Sequence, residues 1–453
     1  WAGSQNILLG GTTPAGDDAV NPLSFLALRA TEELRTPQPS VAVRIHRGTP
    51  AKFLHEAARV LRLGLGIPAF HNDDSVVPLK VSEGIAVNDA RDYAIAGCQE
   101  PIVEGKENAR TTGGKFNLAK CLELALNNGV STLTGKQLGP ETGSTFSDFS
   151  ALREAYHQQV RYFVDRMVQM HNAADRLIAR ERPLPFLSGI IDGCIEKGRD
   201  VRVDGALYNF TGVLVHGLAN VADSLMAIKQ LVFDERRVEL SAVLDALRTD
   251  YDNAEPLRLM LLNHAPKYGN DLDDVDRLAG EELAFVAEEV GRHENAWGGR
   301  YKAGFNTPST HVHYGRKTGA TPDGRKAKDN LAYGTGPMEG RSRKGPTAVV
   351  NSVTKFSHSP AKNGTDLNLS FTPQLVAGEA GLNTLTTVIR TLFDRGAHHI
   401  QINIVGVDTL RQAQVNPEAY RDLVVRVHGY SAYFTSLTHE IQEDIISRTA
   451  STI

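Results

Sequence analysis

Apolar and polar positions along this chain repeat with two periods. Ser40-Val-Ala-Val-Arg-Ile45 alternates as a strand does, and Asn6 to Gly11 is a short apolar run closed by glycines. Asn21 to Arg35 and Pro50 to Leu63 carry helical spacing, the second opened by proline at its first turn and ended by Gly64. Gly66 to Asp74 is strand-like and finishes in a polar cluster, and Phe116 to Asn128 predicts a helix. From Ser147 to Arg182 the apolar residues Phe149, Leu152, Tyr156, Val160, Phe163, Val164, Met167, Met170 and Leu177 recur at helical spacing, the mark of a long scaffold helix. Pro183 to Ile191 predicts a strand, Val215 to Phe233 and Val238 to Thr249 predict helices, and acid-rich Gly269 to Asp276 a helix start. Gly315 to Gly345, full of glycine, proline and charge, predicts a long irregular surface segment. Leu385 to Arg395 is helical, Ile400 to Val405 a strand, and Leu437 to Arg448 a closing helix. Strand and helix alternate throughout, which predicts an α/β class.

Composition narrows the function. With 453 residues, 41% of them hydrophobic, and a net charge of −4, the chain is core-forming and lacks the basic footprint of a nucleic-acid binder. No apolar run approaches the roughly 20 residues of a membrane span, so a cytoplasmic protein is expected. Three cysteines, Cys98, Cys121 and Cys194, make neither a disulfide framework nor a zinc motif. Cys121 and Cys194 sit among apolar residues as small core side chains; only Cys98 is set in a turn.

No motif here binds a metal or phosphate convincingly. The glycines at 10 and 11 are not followed by Gly-Lys-Ser/Thr, and Gly269 to Asp276 lacks the register of a calcium loop. His71, Asp73 and Asp74 lack a second ligand set. His311-Val-His313 would put two imidazoles on one face of a strand, again without a third ligand nearby.

Two stretches carry the distinctive chemistry. Near the C-terminus, Val425-Arg-Val-His-Gly-Tyr-Ser-Ala-Tyr-Phe434 offers a bare Cα at Gly429, where loss of a hydrogen leaves a radical shared between amide nitrogen and carbonyl. Far upstream, Ile95-Ala-Gly-Cys-Gln-Glu-Pro101 places Cys98 two residues before Glu100 in a short, stiff loop. Together they resemble the glycyl radical enzymes. Further stretches similar to that family run in the expected order, among them Gly16 to Ser24, Asn117 to Leu126, Tyr268-Gly-Asn-Asp271 and Thr321-Pro-Asp-Gly-Arg325. Two departures stand beside the motifs: His428 where the family generally has a small residue, and Gln99 where valine is common. Neither is expected to touch the reacting atoms.

The resemblance implies a ten-stranded α/β barrel of two five-stranded halves, this chain supplying mainly the second half (1–384, with the cysteine loop) plus a glycyl radical domain (385–453). It implies a radical stored on Gly429, carried by Cys98 as a thiyl, with Glu100 as acid/base, and no bound organic cofactor or metal. It also implies a radical-SAM activating enzyme as partner, a homodimer, and an N-terminal barrel half missing from a chain that begins in the family's middle, as a fragment, a split enzyme or a truncated chain. Gln99 in place of a second cysteine disfavours acyl transfer. The expected activity is C–O elimination, a dehydratase acting on a small diol or hydroxylated amino acid. The alternatives are C–N or C–S lyases of the choline or isethionate type, an arylacetate decarboxylase, or a silent scaffold or glycine-loop repair module. Thr111 and Thr112, close to Cys98 in sequence, and Phe305, Asn306, Thr307 and Ser309, where the family gathers substrate contacts, are the candidate substrate-binding residues.

Overall fold

The computed structural model describes residues 5–97, 99–108, 110–306 and 309–450. Strands β1 (Asn6–Gly10), β2 (Ser40–Ile45) and β3 (Ala69–Asn72) pair in parallel, with the helices Pro22–Leu34 and Ala51–Leu61 between them. Parallel neighbours need such crossovers, and here each is a single amphipathic helix. Next come the antiparallel partners β4 (Tyr93–Ala96) and β5 (Glu100–Val103), then a separate parallel sheet of β6 (Gly114–Asn117), β7 (Phe210–His216) and β8 (Arg300–Gly304). Strand β9 (Asn368–Phe371) pairs in parallel with β10 (His399–Ile404). Because β10 also runs antiparallel to β3, the main sheet has the order β1-β2-β3-β10-β9. A last hairpin, β11 (Val424–Arg426) with β12 (Ser431–Tyr433), precedes the closing helix His439–Ala450.

The large hydrophobic core includes residues of β1 to β3, β6 to β10 and the helices that cover them. A second, small core gathers Val405, Leu410, Ala413, Val425, Val427, Phe434, Ile445 and Ile446, so the chain after β10 packs largely on itself. The long helix Phe149–Glu181 buries Leu152, Tyr156, Val160, Val164 and Met167, whereas Met170 and Leu177 on its later turns are exposed.

Three local expectations change. Residues 183–191 contain a short helix, Pro185–Ser188, where proline at the first position favours a helical turn over a ladder. His311 and His313 lie on the helix Thr310–Gly315, which leaves His311 buried and His313 exposed. The stretch from Gly315 to Gly345 is irregular but largely buried. The Arg325 guanidinium donates there to the carbonyls of Gly319 at 2.7 Å, Gly315 at 3.0 Å and Asp329 at 2.6 Å, satisfying backbone that no helix or sheet pairs.

One buried network roots the β4–β5 hairpin. Asp73 accepts from Nε and Nη2 of Arg44 at 2.8 and 2.7 Å, from the Tyr93 hydroxyl at 2.9 Å and from the Thr12 amide at 2.8 Å. Arg44 also donates to the carbonyls of Tyr93 and Arg91, and Asn6 to that of Ile95. Asp73 is therefore an ion-pair partner, and Asn72 caps the helix that follows through the Asp74 amide. Removing the carboxylate in Asp73→Ala leaves Arg44 buried without its counter-ion. A loss of about 3–5 kcal/mol in urea unfolding of the full-length protein is expected, and a change indistinguishable from that of an exposed aspartate would contradict this role.

Candidate active site

Two hairpin tips meet inside the molecule. In the first, Ala96 pairs with Glu100, so the connection holds only Gly97, Cys98 and Gln99. Cys98 itself lies outside the described residues. Its neighbours both take positive φ, 49° at Gly97 and 99° at Gln99, and the Gln99 amide donates back to Ala96 at 3.1 Å. Glu100 is wholly buried, and a Cβ added at Gly97 would come within 3.1 Å of its Oε2, which places the carboxylate over the turn. In the second hairpin, Arg426 pairs with Ser431 and Val427 N–H donates to the Tyr430 carbonyl, putting Gly429 in the turn at φ 71°.

The link between the tips is the Gln99 side chain. Its Nε2 donates to the Gly429 carbonyl at 3.0 Å, while its Oε1 faces His71 Nε2 at 2.8 Å. On the other side of the same Cα, Gly429 N–H donates to Gln401 Oε1 at 3.1 Å, an oxygen that also accepts from Arg426 Nε. Gln99 therefore touches a group over which a Gly429 radical would spread, contrary to the expectation from sequence. His428 does not: its ring packs against Tyr333 and His311, with centroids 4.3 and 4.6 Å away.

The glycine hairpin is held from below. Asn403 on β10 bonds both N–H and C=O of Arg426 at 3.2 Å, and Arg448 donates to the carbonyls of Val427 and Arg426 at 2.6 Å. Gly66 is needed where this hairpin crosses the sheet, since a Cβ there would meet the Cβ of Arg426 at 2.5 Å. Among the described residues, His311, His428 and Asp444 have ligand-type atoms within 4.8 Å of one another. The contacts within the group are hydrogen bonds: Arg448 donates to His428 Nε2 at 3.0 Å, and Asp444 Oδ1 accepts from His311 at 2.9 Å and from Asn330 at 2.8 Å.

The substrate-contact candidates divide. Asn363 donates to the Thr111 carbonyl and accepts from Asn306 Nδ2, both at 2.9 Å, so Thr111 and Asn306 belong to one buried cluster. That cluster borders the cysteine loop, because a Cβ on Gly364 would meet Pro101 at 3.0 Å and Asn306 at 3.3 Å. Thr112 is exposed, Phe305 lies in the hydrophobic core, Ser309 is half-buried at the start of the Thr310 helix, and Thr307 lies outside the described residues. Gln401, His71, Arg426 and Arg448 were not foreseen. For Gln401 a signal existed: His399, Gln401 and Asn403 alternate with isoleucines on a strand buried on both faces, which marks a polar interior.

Residues 1–315 match the pyruvate formate lyase-like family and residues 331–435 the glycine radical family. The chain belongs to the glycyl radical enzymes. Over 449 residues it is 37% identical to the trans-4-hydroxy-L-proline dehydratase of Clostridioides difficile, covering 99% of this chain and 57% of that protein. The glycerol-bound B12-independent glycerol dehydratase from Clostridium butyricum superposes with a TM-score of 0.95 at 44% identity, over 98% of this chain and 56% of the other. A Roseburia inulinivorans structure described for 1,2-propanediol dehydration gives 0.95 at 41%, over 98% and 57%. This glycyl radical enzyme chain thus has the family's α/β barrel fold and spans a little over half the length of these relatives.

Burial favours the neutral form of His71, His398, His399 and His428. It pushes the His71 pKa down to about 4, with the Gln99 bond opposing and Arg426 adding to the shift, and it lowers His398, His399 and His428 as well. A histidine lowered on folding leaves the unfolded chain holding more protons, so its stabilisation is complete above about pH 6.5 and falls away as pH drops toward 4. Unfolding midpoints measured between pH 7.5 and 4.5 should therefore decline with acidification. His399→Gln should flatten the slope below about pH 6.5, by up to about 1.4 kcal/mol per pH unit, and an unchanged slope there would contradict a neutral His399.

Proposed function

We propose that this chain carries the catalytic cysteine and glycyl radical loops of a dehydratase, with Gly429 storing the radical, Cys98 passing it to substrate and Glu100 serving as base. The observation that carries this is the 3.0 Å bond from Gln99, the residue after Cys98, to the carbonyl of Gly429, both buried. Hydrogen exchange between a glycyl Cα–H and a thiol is close to thermoneutral, so the radical can rest on carbon and visit sulfur. The Cys98 thiyl removes hydrogen from a substrate carbon bearing a hydroxyl. The remaining O–H becomes far more acidic, Glu100 takes its proton and passes it to the hydroxyl on the adjacent carbon, and that hydroxyl leaves as water. Cys98 then returns its hydrogen to the carbonyl-stabilised radical. Such intermediates demand a site closed to water and oxygen.

The similarity to dehydratases of hydroxylated substrates supports C–O elimination on a small diol or hydroxylated amino acid, with Thr111 and Asn306 beside the cysteine loop as contacts. The division into a barrel portion to residue 384 and a glycyl radical domain from 385 belongs to the same proposal. The small core from Val405 onward supports a C-terminal unit, while β10 pairs on the barrel side. A radical-SAM activating enzyme, a further N-terminal barrel half, a homodimer and a cytoplasmic setting complete it. None of the described helices is long and apolar enough to cross a membrane.

Anaerobic activation of the full-length protein should give a glycine-centred doublet in electron paramagnetic resonance that Gly429→Ala abolishes. Cys98→Ala and Glu100→Gln should keep the doublet, the first without turnover and the second with turnover lowered about 10²- to 10⁴-fold. A substrate panel reads the leaving group: release of CO₂, sulfite or an amine in place of water would overturn the dehydratase assignment.

A further inference from the structure

Gln99 occupies a backbone conformation suited to glycine. Its φ of 99° lies where a side chain is strained, yet the residue carries a long carboxamide. That carboxamide is 3% exposed and both of its ends are engaged, Oε1 by His71 and Nε2 by the Gly429 carbonyl. The Gly429 carbonyl can only accept, so it fixes which end of the carboxamide faces which and makes His71 Nε2 the donor to Oε1. Across the same Cα, Gln401 Oε1 accepts the Gly429 N–H and is itself held by Arg426.

These two bonds act on the groups that share the unpaired electron of a glycine radical. Such a radical is stabilised when electron density flows from the amide nitrogen through Cα into the carbonyl. Accepting a bond from the N–H enriches the nitrogen, and donating one to the carbonyl oxygen strengthens its pull. We propose that Gln99 is a positioning and tuning residue of the radical site, completing with Gln401 a pair of opposed side-chain amides that bias the spin toward Gly429 and away from the Cys98 thiyl. The proposal rests on the assignment of the radical to Gly429 and adds to it the control of the resting equilibrium. Because exchange between glycine and thiol is nearly balanced, one net hydrogen bond shifts it by roughly two- to tenfold.

The test compares wild type, Gln99→Met and Gln99→Gly in the full-length protein, activated anaerobically. Methionine keeps the length without a donor; glycine removes the side chain and relieves the backbone, so it can raise thermal stability while lowering radical stability. Both variants should show an altered doublet splitting. In deuterated buffer without substrate, both should also show a roughly two- to tenfold faster collapse of the doublet to a singlet, as the Cα hydrogen exchanges through the thiol. Cys98→Ala should stop that collapse. If wild type gives no glycine-centred signal, the assignment of Gly429 fails. If wild type gives the doublet and both variants match its splitting and exchange rate, the assignment stands and Gln99 is a spacer.

Discussion

Among the described residues, a hydrogen bond from the Gln99 amide to the Gly429 carbonyl joins two turns that lie 330 residues apart in the chain. A neutral hydrogen bond contributes only about 1 kcal/mol net and cannot by itself bring such segments together. What enforces the meeting is the cost of the alternative. Gly429 is buried, and its N–H and C=O would each be stranded if Gln401 and Gln99 were not there to receive them. The Arg44–Asp73–Tyr93 network places one turn, and Asn403 with Arg448 places the other. The bond is the point at which these two independently anchored hairpins are brought to the same place.

The interior that results is polar and irregular, and side chains replace secondary structure there as hydrogen-bond partners. Gln401, Asn403, Arg325, Arg448 and Asn363 each serve main-chain groups that no ladder reaches. The positions of Gln401 and Asn403 follow from the strand period, since alternate residues of β10 present His399, Gln401 and Asn403 to one side and isoleucines to the other. The same logic explains the neutral histidines: an imidazole shielded from water can pack, stack or hold a tautomer without carrying a charge that burial would penalise.

Much of the fold could be read in advance because burial writes itself into spacing. The helices at Pro22–Leu34, Ala51–Leu61 and Phe149–Glu181 and the strands β2 and β10 all follow their apolar periods. Where spacing failed, another force decided. Proline set a helical turn at Pro185, and His311 joined a helix because a three-residue pattern cannot distinguish strand from helix. The buried course of 315–345 was hidden because its partners, such as the guanidinium of Arg325 spanning several carbonyls, belong to tertiary structure. At the site, the motifs pointed to Glu100 and Gly429 as residue types, but no pattern revealed that Gln99 bridges the tips. A local sequence does not record a contact made 330 positions away.

The conformation of Gly429 bears on why glycine stands there. Its φ of 71° is left-handed, and a turn that needs such an angle is ordinarily reason enough for glycine. In this chain that reason is insufficient. Lys328 holds φ 70° and Tyr251 φ 62° with full side chains, and Gln99 holds 99° at the very turn that faces Gly429. The fold therefore accommodates L residues at such angles when their side chains have work to do. On the proposed role of Gly429, a side chain there would disturb the flattening of the Cα on loss of its hydrogen, between an N–H and a C=O that are each clamped by a glutamine. That requirement belongs to chemistry at the carbon, and backbone geometry alone does not impose it.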